Sequence, residues 1–417
     1  MSKLPNAWVE TTLGKVYNFS SGLSKKRDQF GFGYDFLTFK DVFSNWFLPH
    51  KLNSLANTTK QERYKCSIKR GDVFLTRTSE TQEELGMSSV ALKDYKDAAF
   101  NGFTKRLRPK EGLNTSPEFI GYYFRSRYFR ATIQTMASMT TRASLNNDTL
   151  SILPILLPPI PEQKAIAAVL SAFDEKIELL REQNETLETI AQTVFKEWFV
   201  NFNYPGATGE MIDSELGEIP KGWRVEKLGK ELEVKRGGSP RPIKDYISDS
   251  GYRWLKISDA TASTSPFIFE IKEHIKEEGL KNTTLLKQGA LVLSNSATPG
   301  VPKFLEVDSC IHDGWLHFPK TSIFSYQYLY LFFKHIRESL LQQGNGSVFK
   351  NLKTDILKSW NMIVPDTETM KNFNKILMPV FEKIKNNASQ IQTLTKTRDT
   401  LLPKLMSGKI RVKGFEQ

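Results

Sequence analysis

From Gln163 onward, apolar residues recur at alternating steps of four and three. Ile166, Leu170, Phe173, Ile177, Leu180, Asn184, Leu187, Ala191, Val194 and Trp198 trace one stripe, and only Asn184 is polar. The flanks are charged, as in AFDEKIELLREQNETLE. That spacing is the heptad seam of a coiled coil. A second run repeats it position for position: Phe373, Leu377, Val380, Ile384, Asn387, Ile391, Leu394, Arg398, Leu401 and Leu405. Pro379 and Pro403 lie inside the second run, so kinks or frayed ends are expected there. Each run spans about 37 residues, or roughly 55 Å of helix. Two seams in one chain pack most simply on each other. An antiparallel pairing sets Asn184 opposite Asn387, and would place the domains that precede the helices at opposite ends. A buried polar pair of this kind selects register at some cost in stability.

The stretches before the two helices also match each other. Trp8, Leu13 and Gly14 return with the same spacing as Trp223, Leu228 and Gly229. Phe36 to Asp41 parallels Trp254 to Asp259, and Lys69-Arg70-Gly71-Asp72-Val73-Phe74-Leu75-Thr76 parallels Lys287 to Ser294. Each of these stretches reads as a turn feeding a short buried strand. Tyr123-Phe124-Arg125 corresponds to Phe332-Phe333-Lys334, on a helix with an aromatic face, and Leu157-Pro158 to Val364-Pro365. The common order makes one long repeat of about half the chain, which excludes short-period solenoids. Each half reads as a mixed domain, a proline stop and a long helix. The first stop is LPILLPPIPEQ, and proline suits a helix start. The fold class is therefore α+β: two pseudo-repeated mixed α/β domains separated by two long helices forming an antiparallel coiled coil. The expected boundaries are a first domain over 1–158, a helix over 159–201, a turn-rich connection over 202–221, a second domain over 222–365, and a helix with its tail over 366–417.

Composition narrows the function. The 417 residues carry a net charge of +12, with 39% hydrophobic and 12% aromatic residues. That apolar content suffices for real cores, and a positive field of that size favours a polyanion such as nucleic acid. Only Cys66 and Cys310 are present, one in each half, which fits a reduced cytoplasm rather than a disulfide framework. The N-terminal MSKLPNAWVETTLG lacks the apolar core of a signal peptide.

Motifs for chemistry are missing. A methyltransferase needs a nucleotide-binding glycine loop and an Asn/Asp-Pro-Pro-aromatic motif. The nearest strings, Phe30-Gly31-Phe32-Gly33 and Pro158-Pro159, do not fit. Gly408-Lys409 is followed by Ile410, not by the Ser or Thr of a phosphate loop. Glu162-Gln163-Lys164 has the acid-x-Lys spacing of many nucleases, yet it sits at a helix start and reads as capping. His312 and His317 flank an aromatic segment without a Cys or carboxylate cluster to complete a metal site. Asp313 reads as turn chemistry before Gly314. No cofactor is assigned to this chain.

Residues 157–199, LPPIPEQKAIAAVLSAFDEKIELLREQNETLETIAQTVFKEWF, closely resemble the central conserved helix of type I restriction–modification specificity subunits. GEMIDSELGEIPKGWRVEKLG resembles the start of their second recognition domain, and RDTLLPKLMSGKIRV, from Arg398 to Val412, their C-terminal conserved helix. Gly237 to Pro240, GGSP, is similar to the glycine-rich start of their recognition domains; the first domain has Ser21-Gly22-Leu23-Ser24 instead. The resemblance implies a non-catalytic subunit that reads double-stranded DNA, with two target-recognition domains for a bipartite asymmetric target. It implies helices that set the gap and dock two modification subunits, which methylate adenine using S-adenosylmethionine. Restriction subunits would then complete an ATP-driven endonuclease. Two other readings stand beside it: a related system whose partner fuses methylation and cleavage, and an interaction scaffold that does not read DNA.

Base reading needs Arg, Asn, Gln, Ser or Thr on exposed loops, and phosphate anchoring needs cations and small hydroxyls. In the first domain the candidates are Lys25, Lys26, Arg27, Arg77, Thr78, Ser79, Thr141 and Arg142. In the second they are Arg236, Ser239, Arg241, Ser294, Asn295, Ser296, Ser347, Lys350 and Asn351. Arg77 and Arg241 stand out, because the arginine fork fits guanine.

Overall fold

The first strand of each half pairs with the strand that immediately precedes a long helix. Val9–Thr12 runs antiparallel to Pro154–Leu157, and Arg224–Lys227 antiparallel to Asn361–Val364. A computed structural model describes residues 7–79, 84–113, 115–136, 138–139, 143–342 and 351–415. Two compact units emerge: Met1–Ile177 with Thr393–Gln417, and Glu178–Gln392.

In the first unit, Tyr17–Ser21, Thr104–Pro109, Val73–Thr76 and Ser88–Val90 form a four-stranded antiparallel sheet, in that order. Beside it Phe30–Leu37 pairs parallel with Ala99–Phe100. The second unit repeats the plan. Leu232–Arg236 lies against Trp315–Thr321, which lies against Leu291–Ser294, while Trp254 and Leu255 pair parallel with Cys310 and Ile311. Val73–Thr76 and Leu291–Ser294 are buried along their whole length, as their unbroken apolar runs require. Gly71 and Gly289, which lead into them, have φ of +88° and +89°. The left-handed backbone there favours glycine. The residue before each glycine is tied down alike: Arg70 N–H donates to Asp94 Oδ1 at 2.7 Å, and Gln288 N–H to Asp308 Oδ1 at 2.9 Å.

An aromatic helix covers each sheet, Pro117–Arg125 in one unit and Tyr326–Gln342 in the other. Tyr123 and Phe124, like Phe332 and Phe333, are buried. The basic residues that follow diverge. Arg125 donates to the carbonyls of Val42, Phe43, Asn45 and Ser88, whereas Lys334 pairs with Glu188.

The long helices are α1, Ile160–Phe199, and α2, Thr367–Met406. Helix α2 runs through Pro379 and Pro403 without a break. A proline removes one hydrogen bond, and the packed apolar face on either side keeps the helix going. Within the first unit Ile166, Leu170 and Ile177 of α1 and Leu402, Leu405 and Met406 of α2 are buried, with Phe173, Leu394 and Leu401 half-buried. Arg398 of α2 pairs with Asp174 of α1. Within the second unit Leu180, Phe373, Leu377 and Ile384 are buried, and Leu187, Val194 and Ile391 half-buried. There Asn387 Nδ2 donates to Asn184 Oδ1 at 3.0 Å, and Asn184 Nδ2 to the Ile384 carbonyl at 3.2 Å. Phe199, near the end of α1, packs edge-on against Phe373, near the start of α2. In this unit the two helices therefore run antiparallel.

Glu162 does not cap its own helix. It is fully buried and accepts from the Trp8 indole at 2.9 Å and from two nitrogens of Arg411 at 2.8 and 2.7 Å. The second unit ties Trp223, the counterpart of Trp8 in the repeat, the same way: its indole donates to Asp366 at 3.1 Å. Asp366 also caps α2 through Thr369 N–H at 2.8 Å.

Candidate nucleic-acid interface

In the second unit the chain leaves strand Leu232–Arg236 and turns at once through Gly237 and Gly238. Gly237 lies so close to the far strand that a Cβ would sit 2.4 Å from the His312 carbonyl. Only glycine allows this approach, and it brings the next residues over the loop of His312, Asp313 and Gly314. Ser239 Oγ donates to Asp313 Oδ1 at 2.7 Å, and Arg241 donates to Asp313 Oδ2 at 3.3 Å. Arg236 reaches the Asp313 backbone carbonyl, as does Asn295 Nδ2 at 3.1 Å. Asn295 N–H donates to the Gly314 carbonyl at 2.8 Å, and Leu352 N–H to the Asn295 carbonyl at 2.6 Å. Ser296 and Asn351 form a bridge. Four candidates, Arg236, Ser239, Arg241 and Asn295, thus converge on Asp313, with Ser296 and Asn351 bridged beside Asn295. Ser239, Arg241, Trp254, Lys256 and His312 share with Asp313 a pocket of about 670 Å³.

Their accessibility differs. Arg241, Arg236 and Asn351 are exposed. Ser294 is buried, and its hydroxyl closes a turn by donating to the Thr298 carbonyl and accepting from Val301 N–H. Asn295 is buried too, and its Oδ1 has no partner among the described residues. Ser347 and Lys350 lie outside the described residues.

The Ser239 hydroxyl holds the Asp313 carboxyl below its usual range, helped by Arg236 and Arg241. The carboxylate is therefore charged at neutral pH. His312 accepts from Gly314 N–H through Nδ1 at 2.8 Å, which requires the neutral ring. Burial pushes His312, His317 and His335 below the ordinary histidine range. The unfolded chain then takes up protons that the folded unit refuses. Stability present above about pH 6.5 is lost as pH falls toward the folded values. Urea unfolding of the second unit is expected to show a lower midpoint at about pH 5.5 than at about pH 7.5. Buried His317→Gln should blunt the drop; an undiminished drop would place the acid sensitivity elsewhere.

The first unit uses the same frame with other groups. A Cβ on Gly22 would meet the Phe100 and Asn101 carbonyls at 2.4 and 2.3 Å. Lys25 turns inward: its side chain is 8% exposed and donates to both Glu62 oxygens at 2.8 Å. That contact holds the Glu62 carboxyl below its usual range. Lys26, Arg27 and Arg77 are exposed. Thr78 and Ser79 lie on a two-residue strand paired with Ala143 and Ser144. Thr141 and Arg142 fall outside the described residues.

Three residues outside the sequence candidates join the two sites. Arg77 N–H donates to the carbonyl of Phe103, whose ring is 60% exposed. Lys105 donates to Ser21 Oγ at 3.1 Å and Asn147 Oδ1 at 2.7 Å, and burial, with Arg77 nearby, lowers its pKa. Asp313 is the third. The cation–aromatic mix around Phe103 was the available signal. Cationic edges with exposed aromatics and hydroxyls suit phosphates and base edges.

The family model for the type I restriction modification DNA specificity domain matches residues 5–189 and again 220–396. Among curated proteins, the chain is similar to the type I restriction enzyme MjaIX specificity subunit of Methanocaldococcus jannaschii. The two are 27% identical over 99% of this chain and 95% of that one. It is 23% identical to the type I restriction enzyme HindI specificity subunit of Haemophilus influenzae, over 97% of this chain and 99% of the relative. In fold it resembles the crystal structure of the type I restriction–modification S subunit from M. genitalium, with a TM-score of 0.61 at 15% identity, covering 97% of each chain. No helix among the described residues is long and apolar enough to cross a membrane. With both of its halves matched by one family model, this chain belongs to the type I restriction modification DNA specificity family, whose members recognise the target and leave the chemistry to other subunits.

Proposed function

We propose that each unit reads one half of a bipartite, asymmetric DNA target, and that α1 and α2 space the half-sites and dock two modification subunits. The carrying observation is one frame used twice with different exposed groups. The same glycine-led loop lies on the same strand end in both units, yet one exposes Lys26, Arg27 and Arg77 and the other Arg236 and Arg241, gathered on half-buried Asp313. A target with two unlike halves is what such a pair of readers suits. Adenine methylation and ATP-driven cleavage belong to the modification and restriction subunits, in the cytoplasm. The two recognition domains are residues 1–158 and 222–365, joined by the helices over 159–201 and 366–417 and the connection over 202–221. The net charge of +12 supplies the sequence-independent part of the attraction.

Exchange of residues 1–150 for those of a relative, followed by mapping of methylated adenines, tests this. One half of the target should change and the other should persist. Change in both halves, or in neither, overturns the modular reading.

A further inference from the structure

The two frames can be superposed through their hydrogen bonds. Leu23 N–H donates to the Phe100 carbonyl at 2.9 Å, and Gly238 N–H to the Ile311 carbonyl at 3.2 Å. Leu23 thus corresponds to Gly238, and Phe100 to Ile311. The strands agree, because Thr76 pairs with Thr104 as Ser294 pairs with Trp315. Counting onward, Ser24 matches Ser239, Lys26 matches Arg241, and Gly102 matches Asp313. The carboxylate has no counterpart in the first unit, since Gly102 has no side chain. There is little room for one either: a Cβ on Gly102 would lie 2.8 Å from Ser24 Oγ.

The consequence concerns the arginine. Arg241 is 79% exposed, yet one of its nitrogens is held 3.3 Å from Asp313. Asp313 is itself fixed by Ser239 on its side chain and by Arg236 and Asn295 on its carbonyl. A guanidinium has five donors in a rigid fork. With one side tethered to a carboxylate, the rest of the fork is presented to solvent in a restricted orientation. In the major groove guanine offers two acceptors, O6 and N7, that match such a fork. Lys26 has no fork and reads as a phosphate contact.

We propose that Arg241, oriented by Asp313, reads a guanine in the half-site of the second unit, with Asp313 as a positioning residue. This rests on the reading that the second unit contacts DNA.

The test uses the full chain assembled with its modification subunits, and duplexes carrying the mapped target. Each G·C pair of the second half-site is replaced in turn by A·T, and each guanine by 7-deazaguanine, which lacks only the N7 acceptor. One position should cost the wild-type complex roughly tenfold to a hundredfold in affinity on replacement by A·T. 7-Deazaguanine at that position should also weaken binding. Arg241→Gln should abolish both penalties, and Asp313→Asn should reduce them, with other positions unaffected. Both side chains lie at the surface, and the 7-deazaguanine arm needs no variant. If Arg241→Gln keeps the discrimination while Asp313→Asn loses it, Asp313 is accepting from cytosine itself and the proposal falls. Equal weakening on every duplex would make Arg241 a phosphate anchor, and a second half-site without a G·C pair would also overturn the proposal. A wild-type complex indifferent to every position of that half-site would instead sink the DNA-reading assignment.

Discussion

Replacing Arg108 by alanine is expected to destabilise the first unit by about 3–5 kcal/mol, the range for stranding a buried charge. Asp72 is fully buried at the turn into strand Val73–Thr76. Its oxygens accept from Arg108 Nε at 2.7 Å and Nη2 at 2.6 Å, and from Lys69 N–H at 2.7 Å. Arg108 also donates to the Ser67 carbonyl at 2.9 Å. Removing the guanidinium leaves a buried carboxylate with one backbone donor. The exposed pair Arg181–Glu178 is the internal reference, since Arg181→Ala should cost no more than about 0.5 kcal/mol. Asp72→Leu with Arg108→Leu should recover much of the loss, because replacing both partners by apolar groups is far milder than orphaning one. Urea unfolding followed by hydrogen exchange at the amides of Val73–Thr76 measures the cost. An Arg108→Ala variant as mild as Arg181→Ala would show that water reaches Asp72.

The repeat was legible because packing imposes periodicity. Leu13 and Leu228 are fully buried, and the strands Val73–Thr76 and Leu291–Ser294 that follow Gly71 and Gly289 are buried throughout, so apolar spacing and turn residues mark them in both halves. The long helices were legible from their seams. What remained hidden depends on pairs distant in the chain. Nothing near Lys25 announces that Glu62 draws it inward. Glu162 sits where a cap belongs, but Trp8 and Arg411 claim it from opposite ends of the sequence. Asp313 looks like a turn residue, and indeed occupies one; its contacts with Ser239 and Arg241 arise only when two loops meet. The Ser294 hydroxyl suits a DNA contact by its chemistry, but the Thr298–Val301 turn consumes it. The prolines of α2 show the converse, a local rule overridden by packing on both sides.

Asn184 and Asn387 should couple strongly. Asn387 is fully buried, and its Oδ1 has no partner among the described residues. Its amide nitrogen serves Asn184 at 3.0 Å and Gln183 at 3.4 Å. Asn184→Leu therefore leaves fully buried Asn387 with one long contact, to Gln183 at 3.4 Å. A buried polar group stripped of its partner costs about 1–3 kcal/mol. Asn387→Leu should be milder, because Asn184 is half-buried and keeps its bond to the Ile384 carbonyl. Leucine at both positions removes the unsatisfied oxygen along with the pair. The double variant should equal or exceed the wild type in stability, leaving a coupling on the order of 1–3 kcal/mol in the double-mutant cycle. Its seam would then be apolar at every heptad of this segment, with nothing to penalise a one-heptad slip. Cysteines placed to cross-link the helices in the native register report that slip: quantitative linking in the wild type, and a mixture of registers with two leucines. A double variant less stable than either single one would mean that the asparagine pair holds the helices together rather than choosing their alignment.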